Sequence, residues 1–348
     1  MSVAAVFAKK KPELEQARSA YTNQGVPEWL MGELTSVREK PPLKPDSWVT
    51  ASGLGRLCPR YETLRAVHEI TIQDTTTGVM QWTFDVGNAY HDMYREHYMG
   101  PRGAYLGRWR CLRCGWNTDQ GVEKPLDWGE HGIPQPAKAP LKPTSYMPEG
   151  DFPSEEHILL AKMPERCPNC GGKRAFPDWT ASGREVDGHQ RAIVYHEWLL
   201  TNEEYRVRVM PDGWRQSLST EKILFQELKS ISPNGYKKIK SSGAAKPEHV
   251  VQTQAGLWLS GWDIGEIVYF CKAPIWRFPD GWKPEDFFHQ VVVRYDEGTL
   301  EATVWGPVTE MREALKAGTV TKRICVNTEV PRAKDCDLCQ LCFKEPNG

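Results

Sequence analysis

Ten cysteines, of which eight could sit as metal ligands and most are closely spaced, constrain this 348-residue chain more than any other feature. Two C-x-x-C pairs, Cys111-Leu112-Arg113-Cys114 and Cys167-Pro168-Asn169-Cys170, stand near the ends of a stretch in which periodic apolar patterns nearly vanish. Ten of the 26 prolines fall between Pro125 and Pro177. Such a stretch cannot build a conventional core alone, so something else must hold it. Close C-x-x-C spacing is the metal-site pattern of a reducing compartment rather than a disulfide framework. Gly115 and Gly171 follow the second cysteine of each pair and let the backbone fold back toward the sulfurs. Cys111, Cys114, Cys167 and Cys170 therefore predict one tetrahedral Cys₄ zinc site, the centre of a zinc ribbon inserted over 101–182. Cys271 and Cys325 stand singly in apolar contexts and read as buried free thiols.

Charge narrows the remaining classes. Lys+Arg 44 against Asp+Glu 45 leaves a net charge of -1, which excludes a globally basic nucleic-acid coat but allows a local basic groove. Hydrophobic residues at 40% and charged residues at 26% are ordinary globular usage. No apolar run approaches the roughly 18 residues of a membrane helix. Met1 to Lys11 places its basic residues after a short apolar run, the wrong order for a secretory signal. A soluble, cytoplasmic protein with no membrane partner is expected.

Along the chain, 1–47 reads as an N-terminal arm or linker ending in the proline-broken Pro41-Pro42-Leu43-Lys44-Pro45. Residues 48–100 hold two expected helices, Ser52 to Val67 and Phe84 to Tyr98, separated by a turn at Asp74 to Gly78. After the 101–182 insertion, 183–323 turns to strands: Arg191 to Trp198, Tyr205 to Met210 and Ile223 to Leu228. A helix from Pro247 to Ser260 has Pro at its start and Gly261 at its end. Strands Glu266 to Cys271 and His289 to Tyr295 follow, then a charged helix, Val308 to Ala317, and a cysteine-rich tail over 324–348. This order predicts an α/β fold with a mixed central sheet flanked by helices.

The most informative stretch is the turn Pro211-Asp212-Gly213 followed by Phe225-Gln226-Glu227-Leu228-Lys229. Strand alternation puts Glu227 and Lys229 on one face, with Leu228 turned away. Asp212 can reach that face, and two converging carboxylates make a hard oxygen site suited to Mg²⁺ or Mn²⁺. Taken alone, E-x-K reads as an exposed same-face ion pair, with Asp212 merely starting a turn. Its company matters: Gly87-Asn88-Ala89-Tyr90-His91 lies upstream, and His249 to Trp258 lies on a helix downstream.

In this order the motifs resemble the PD-(D/E)xK nuclease superfamily, in its RecB/Cas4-like branch, which includes phage exonucleases. The branch pattern of G-x-x-x-H, a strand-turn Asp, E-x-K and Q-x-x-x-Y falls on Gly87 with His91, Asp212, Glu227 with Lys229, and Gln252 or Gln254. Gln252 is preferred, although it puts Gly256 where the family has an aromatic, whereas Gln254 would put Trp258 there. The resemblance implies a restriction-endonuclease-like sheet. It implies His91, Asp212, Glu227 and the Leu228 carbonyl as metal ligands, Lys229 as base or stabiliser, and Gln252 near the scissile strand.

In members of this branch one cysteine before the core and three after it bind a [4Fe–4S] cluster. By resemblance these are Cys58 and Cys336, Cys339 and Cys342, with the last interval shorter than usual and Cys325 as an alternative ligand. Thiolate sets alone do not separate such a cluster from zinc. The resemblance further implies a bacterial or phage-encoded protein, DNA ends or single strands as substrate, and a helicase or recombination partner. The expected function is a metal-dependent DNA exonuclease; the alternative is a non-catalytic DNA-binding or assembly subunit on the same fold. Arg108, Arg110, Arg113, Lys173 and Arg174, with Trp109 and Trp116 interleaved, read either as a single-strand grip or as a solvated surface with tryptophans packed beneath it. The lysine run Tyr236 to Gly243 reads as a solvated loop or a DNA-tracking one, and His97, His189 and His196 as surface or core histidines.

Overall fold

The computed structural model describes residues 38–74, 86–111, 114–118, 160–172, 193–216, 223–272 and 287–347. Residues 1–37 of the expected arm, the turn residues 75–78, the middle of the ribbon insertion, Arg113, Lys173, Arg174 and His189 lie outside them.

A mixed sheet organises the protein, with strand order β12-β11-β10-β9-β4-β5 and with β6 (Ile193–His196) also paired to β4. Its members are β4 (Tyr105–Cys111), β5 (Ala161–Lys162), β9 (Gly213–Gln216), β10 (Ile223–Ile231), β11 (Ile264–Cys271) and β12 (Phe288–Arg294). Within this sheet only β10 and β11 run parallel, with Lys229 opposite Tyr269; its other pairs are antiparallel. A parallel neighbour needs a crossover. Here it is supplied by α4 (Pro233–Ser242) and α5 (Pro247–Ser260). A small second sheet joins β2 (Val49–Thr50), β8 (Val207–Val209) and β7 (Leu200–Asn202), and β1 (Arg38–Lys40) pairs β3 (Ile72–Asp74).

Helix α5 has the expected bounds for visible reasons. Pro247 opens it, and Gly261 closes it in the left-handed region at φ 71°. Its Ala255, Leu257 and Leu259 are fully buried against one face of the sheet, over Phe225, Ile267 and Tyr269. A Cβ on Gly256 would lie 2.3 Å from Phe225 Cζ, so the helix can sit this close to β10 only with glycine there. The opposite face packs Leu228, Val268 and Phe270 against Tyr94 and Tyr105.

Three elements differ from expectation. The helix expected over Ser52 to Val67 is broken into α1 (Ala51–Leu54) and α2 (Pro59–Val67). Cys58 precedes Pro59 and is extended at φ -120°, ψ 101°, the conformation a following proline imposes. The lysine run is a helix, α4, rather than a loop. Ser232 caps it by accepting a hydrogen bond from Gly235 N–H, and Gly243 ends it at φ 67°. Third, the start of the insertion contributes β4 to the middle of the main sheet, where Tyr105 and Trp109 are fully buried.

Helix α3 (86–92) runs on into π-helical turns over Met93–Met99. At the far end, α6 (Glu297–Leu300) leads through Glu301–Trp305 into α7 (Gly306–Ala317), then α8 (Pro331–Lys334) and α9 (Cys339–Lys344). Among the described residues no helix is long and apolar enough to cross a membrane.

Candidate active site and cysteine metal centres

Sheet register assembles the carboxylate site. Gly213 pairs with Gln226 across β9 and β10, so Asp212, one residue earlier, falls beside Glu227. The turn is held from both sides. The Tyr105 hydroxyl donates to the Asp212 carbonyl at 2.6 Å, and the Leu228 N–H donates to Asp212 Oδ2 at 2.8 Å. Gly213 sits at φ 151°, and a Cβ there would lie 2.3 Å from the Tyr105 hydroxyl oxygen. Gly213→Ala should therefore cost about 1–3 kcal/mol of stability, read as a lowered Tm, and swing Asp212 out of register.

Helix α3 brings His91 to the same place. A Cβ on Gly87 would meet Ser230 Oγ at 2.7 Å, so glycine lets the helix approach the end of β10. One turn on, His91 Nδ1 lies 3.3 Å from Asp212 Oδ1. Arg95, four residues later and buried, reaches the same oxygen at 3.8 Å while pairing with Asp92 at 2.9 Å and Glu197 at 3.4 Å. Sequence reasoning missed Arg95 and Tyr105. The i, i+4 spacing of His91 and Arg95 was the available signal. Burial pushes the Asp212 carboxyl up, but His91, Arg95 and Lys229 outweigh it and hold the group well below the usual carboxylate range.

Glu227, Lys229 and Gln252 form a triangle on the α5 face. Lys229 Nζ donates to Glu227 Oε1 at 2.5 Å and to Gln252 Oε1 at 2.9 Å, and Gln252 Nε2 donates to Glu227 Oε1 at 2.6 Å. Gln254 goes elsewhere. Its side chain accepts from Asp296 N–H at 3.0 Å and donates to the Arg294 carbonyl at 2.6 Å, pinning the end of β12. Burial raises the Glu227 carboxyl to about 7 against the pull of Lys229. Burial opposes charge on Lys229 too, but Glu227 and Asp212 hold its ammonium above the ordinary lysine value.

The donor set suits a hard divalent ion. Oxygen from Asp212 and Glu227 and nitrogen from His91 are appropriate ligands, and Glu227 Oε2 is buried with no hydrogen-bond partner. Such an ion would give that orphaned oxygen its partner.

The C-x-x-C pairs meet in space. Cys111 Sγ lies 3.7 Å from Cys170 Sγ, and Cys114 Sγ lies 3.5 Å from Cys167 Sγ. All four sulfurs lie within 4.8 Å of one another, the one such group among the described residues. Zn–S bonds of about 2.3 Å in a tetrahedron place sulfurs about 3.8 Å apart. The two knuckles repeat one design: Gly115 N–H donates to the Cys111 carbonyl at 2.9 Å and Gly171 N–H to the Cys167 carbonyl at 2.8 Å, with φ 74° and 67°. A four-cysteine module with the spacing of a metal site thus hangs from the end of β4. Trp109 and Trp116 are buried beneath it, Trp109 donating from Nε1 to the Ala161 carbonyl at 2.9 Å. The tryptophans are packing residues here, not an open stacking platform.

The tail cysteines gather differently. Cys58, Cys325, Cys336, Cys339 and Cys342 all line one cavity of about 260 Å³ between α2 and α9. Burial raises the Cys58 thiol, and raises Cys336 to about 11. The tail is clipped to α2 by Arg60, which is 1% exposed and donates to the carbonyls of Thr321, Cys342, Glu345 and Pro346 at 2.5–3.2 Å. Cys271 is buried within the sheet core, as expected, whereas Cys325 is half-exposed. Of the histidines, His196 lies on β6 and His97 in the π-helical turns.

No known family and no curated protein matches the chain by sequence. Among solved structures it is similar to an alkaline exonuclease from Laribacter hongkongensis, at 20% identity and TM-score 0.26, over 32% of this chain and 50% of that one. The same exonuclease in complex with dAMP aligns at 17% identity and TM-score 0.27, over 34% and 54%. A phage-related exonuclease from Haemophilus somnus 129PT aligns at 14% identity and TM-score 0.21, over 35% and 57%. The chain thus spans about half the length of these structures, and the functional reading rests on its own residues.

Proposed function

We propose that this chain is a metal-dependent DNA nuclease of the PD-(D/E)xK type, an exonuclease acting on DNA ends or single strands by hydrolysis of phosphodiester bonds. The observation that carries the reading is that neighbouring strands bring the His91–Asp212 pair beside the Glu227–Lys229–Gln252 triangle, in which one Glu227 oxygen is buried without a partner. His91, Asp212, Glu227 and the Leu228 carbonyl would hold Mg²⁺ or Mn²⁺. When bound, that ion supplies phosphoryl polarisation and lowers the pKa of the attacking water.

The chain's own groups do the rest. Arg95 and the Leu228 N–H fix the Asp212 carboxylate, and Gln252 and Glu227 fix the Lys229 ammonium. Lys229 is then placed to orient the nucleophile and to neutralise charge developing on the phosphoryl oxygens. Release of an end label from DNA in Mn²⁺, set beside the Glu227→Ala protein, tests the reading.

The quartet at the ribbon is a zinc site in this account. Sulfur spacing at the tetrahedral value supports one ion there. Cys114→Ser should lower bound zinc by about one equivalent, measured by metal analysis, and leave the sheet folded by circular dichroism. Unchanged zinc content would overturn the assignment. The tail thiols fit a [4Fe–4S] cluster better than zinc, because they surround a cavity instead of closing on one point. Cys58, Cys336, Cys339 and Cys342 are its proposed ligands.

A further inference from the structure

One histidine stands beside the Glu227–Lys229–Gln252 triangle with no part in the reading above. His249 precedes Gln252 by three residues on α5 and so shares its face of the helix. Beneath it lies Tyr269, the register partner of Lys229 across the parallel β10–β11 pair. The Tyr269 oxygen accepts the main-chain N–H of Lys246 at 3.1 Å and meets His249 Nδ1 at 2.9 Å. The Tyr269 hydroxyl can donate to Nδ1 while it accepts from Lys246, the tautomer that leaves the imidazole hydrogen on Nε2. The ring lies over Tyr269 with centroids 5.5 Å apart, so its orientation is set from below.

Among the described residues nothing hydrogen-bonds Nε2, and that atom is not a buried orphan. In that tautomer Nε2–H is a donor open to a ligand. Burial comes first, then the charges of Lys229, Lys246 and Arg56, in lowering the imidazole to about 3, so the donor is neutral throughout the working range. Glu248 is its neighbour in the chain, and Glu227 is already engaged by Lys229 and Gln252. Lys246 and Arg56, beside the paired Lys229, give this corner a positive surrounding suited to an anion.

We infer that His249 is a substrate-positioning residue whose Nε2–H donates to a non-bridging oxygen of a DNA phosphate flanking the scissile one. The inference rests on the nuclease reading and adds a contact to the same face. A hydrogen bond from a neutral donor to a phosphate oxygen is a charge-assisted one, so its loss should be felt about 10-fold or more in kcat/KM. Tyr269→Phe, which frees the ring to turn, should give a smaller loss of the same kind.

The test uses end-labelled single-stranded oligonucleotides in Mn²⁺, one with all phosphates intact and others with a single neutral methylphosphonate at each position flanking the cleaved bond. The full-length parent, His249→Ala, His249→Gln and Glu227→Ala proteins are compared. His249→Ala should lose about 10-fold on intact DNA but equal the parent on one methylphosphonate oligonucleotide, where the contact is already gone. His249→Gln, which keeps a neutral N–H donor, should recover most of the rate. If His249→Ala cuts intact DNA like the parent, or loses the same factor on every oligonucleotide, the inference is overturned while the nuclease reading stands. If the parent cuts no better than Glu227→Ala, the nuclease reading itself falls, and this contact with it.

Discussion

Glu227→Ala should cut DNA at least about 10³-fold more slowly than the parent protein, because it removes both a hard anionic ligand and the anchor of Lys229. The two losses separate experimentally. Lys229→Ala should lose comparable turnover yet bind Mn²⁺ nearly as the parent does, whereas Glu227→Ala should lose Mn²⁺ affinity in calorimetry as well. Binding of single-stranded DNA should change within a few-fold in both, since phosphate contacts are spread over other residues. The pH dependence has a definite sign. Burial raises the Glu227 carboxyl to about 7, so in the metal-free protein the anionic ligand is present above that value and protonated below it. Mn²⁺ affinity should therefore fall more steeply between pH 8 and pH 6 in the parent than in Glu227→Ala. Equal affinity at both pH values would remove Glu227 from the ligand set.

The second large effect belongs to the tail. Protein purified without oxygen should be brown, with broad absorbance near about 400 nm, and Cys58→Ala or Cys339→Ala should each bleach it. The colour should disappear without unseating the tail altogether, because Arg60 binds three tail carbonyls, those of Cys342, Glu345 and Pro346, independently of any metal. Limited proteolysis reads that residual docking. Bleaching by Cys325→Ala but not by Cys342→Ala would exchange those two ligands, both of which line the cavity. A colourless protein with two zinc ions and no iron would show zinc at both cysteine centres.

Much of this arrangement was legible in the sequence because it is written in local signals. Pro247 and Gly261 delimit α5, alternation around Leu228 places Glu227 beside Lys229, and two glycine-followed C-x-x-C pairs announce the knuckles. Signals of the same kind were present and under-read at Ser232-Pro233 and Gly243, which frame α4, and at Cys58-Pro59, which breaks a helix. What stayed illegible depends on distant pairing. The strand Tyr105–Cys111 has no clean alternation, being buried at five of its seven positions, and only its partners β9, β5 and β6 show why it belongs to the sheet. The role of Tyr105 in holding the Asp212 turn follows from that pairing and from no local pattern. The different partners of Gln252, which bonds Glu227 and Lys229, and of Gln254, which bonds the end of β12, likewise depend on distant pairing.

The most direct measurement of the central claim is a time course of label release from end-labelled single- and double-stranded DNA, with parent and Glu227→Ala proteins run side by side. Mn²⁺ is supplied first, then chelated with EDTA, then restored. The nuclease account predicts release by the parent that stops on chelation and resumes with Mn²⁺, and almost none by Glu227→Ala at any stage. Release at equal rates by both proteins, or release by the parent that ignores chelation, would contradict it.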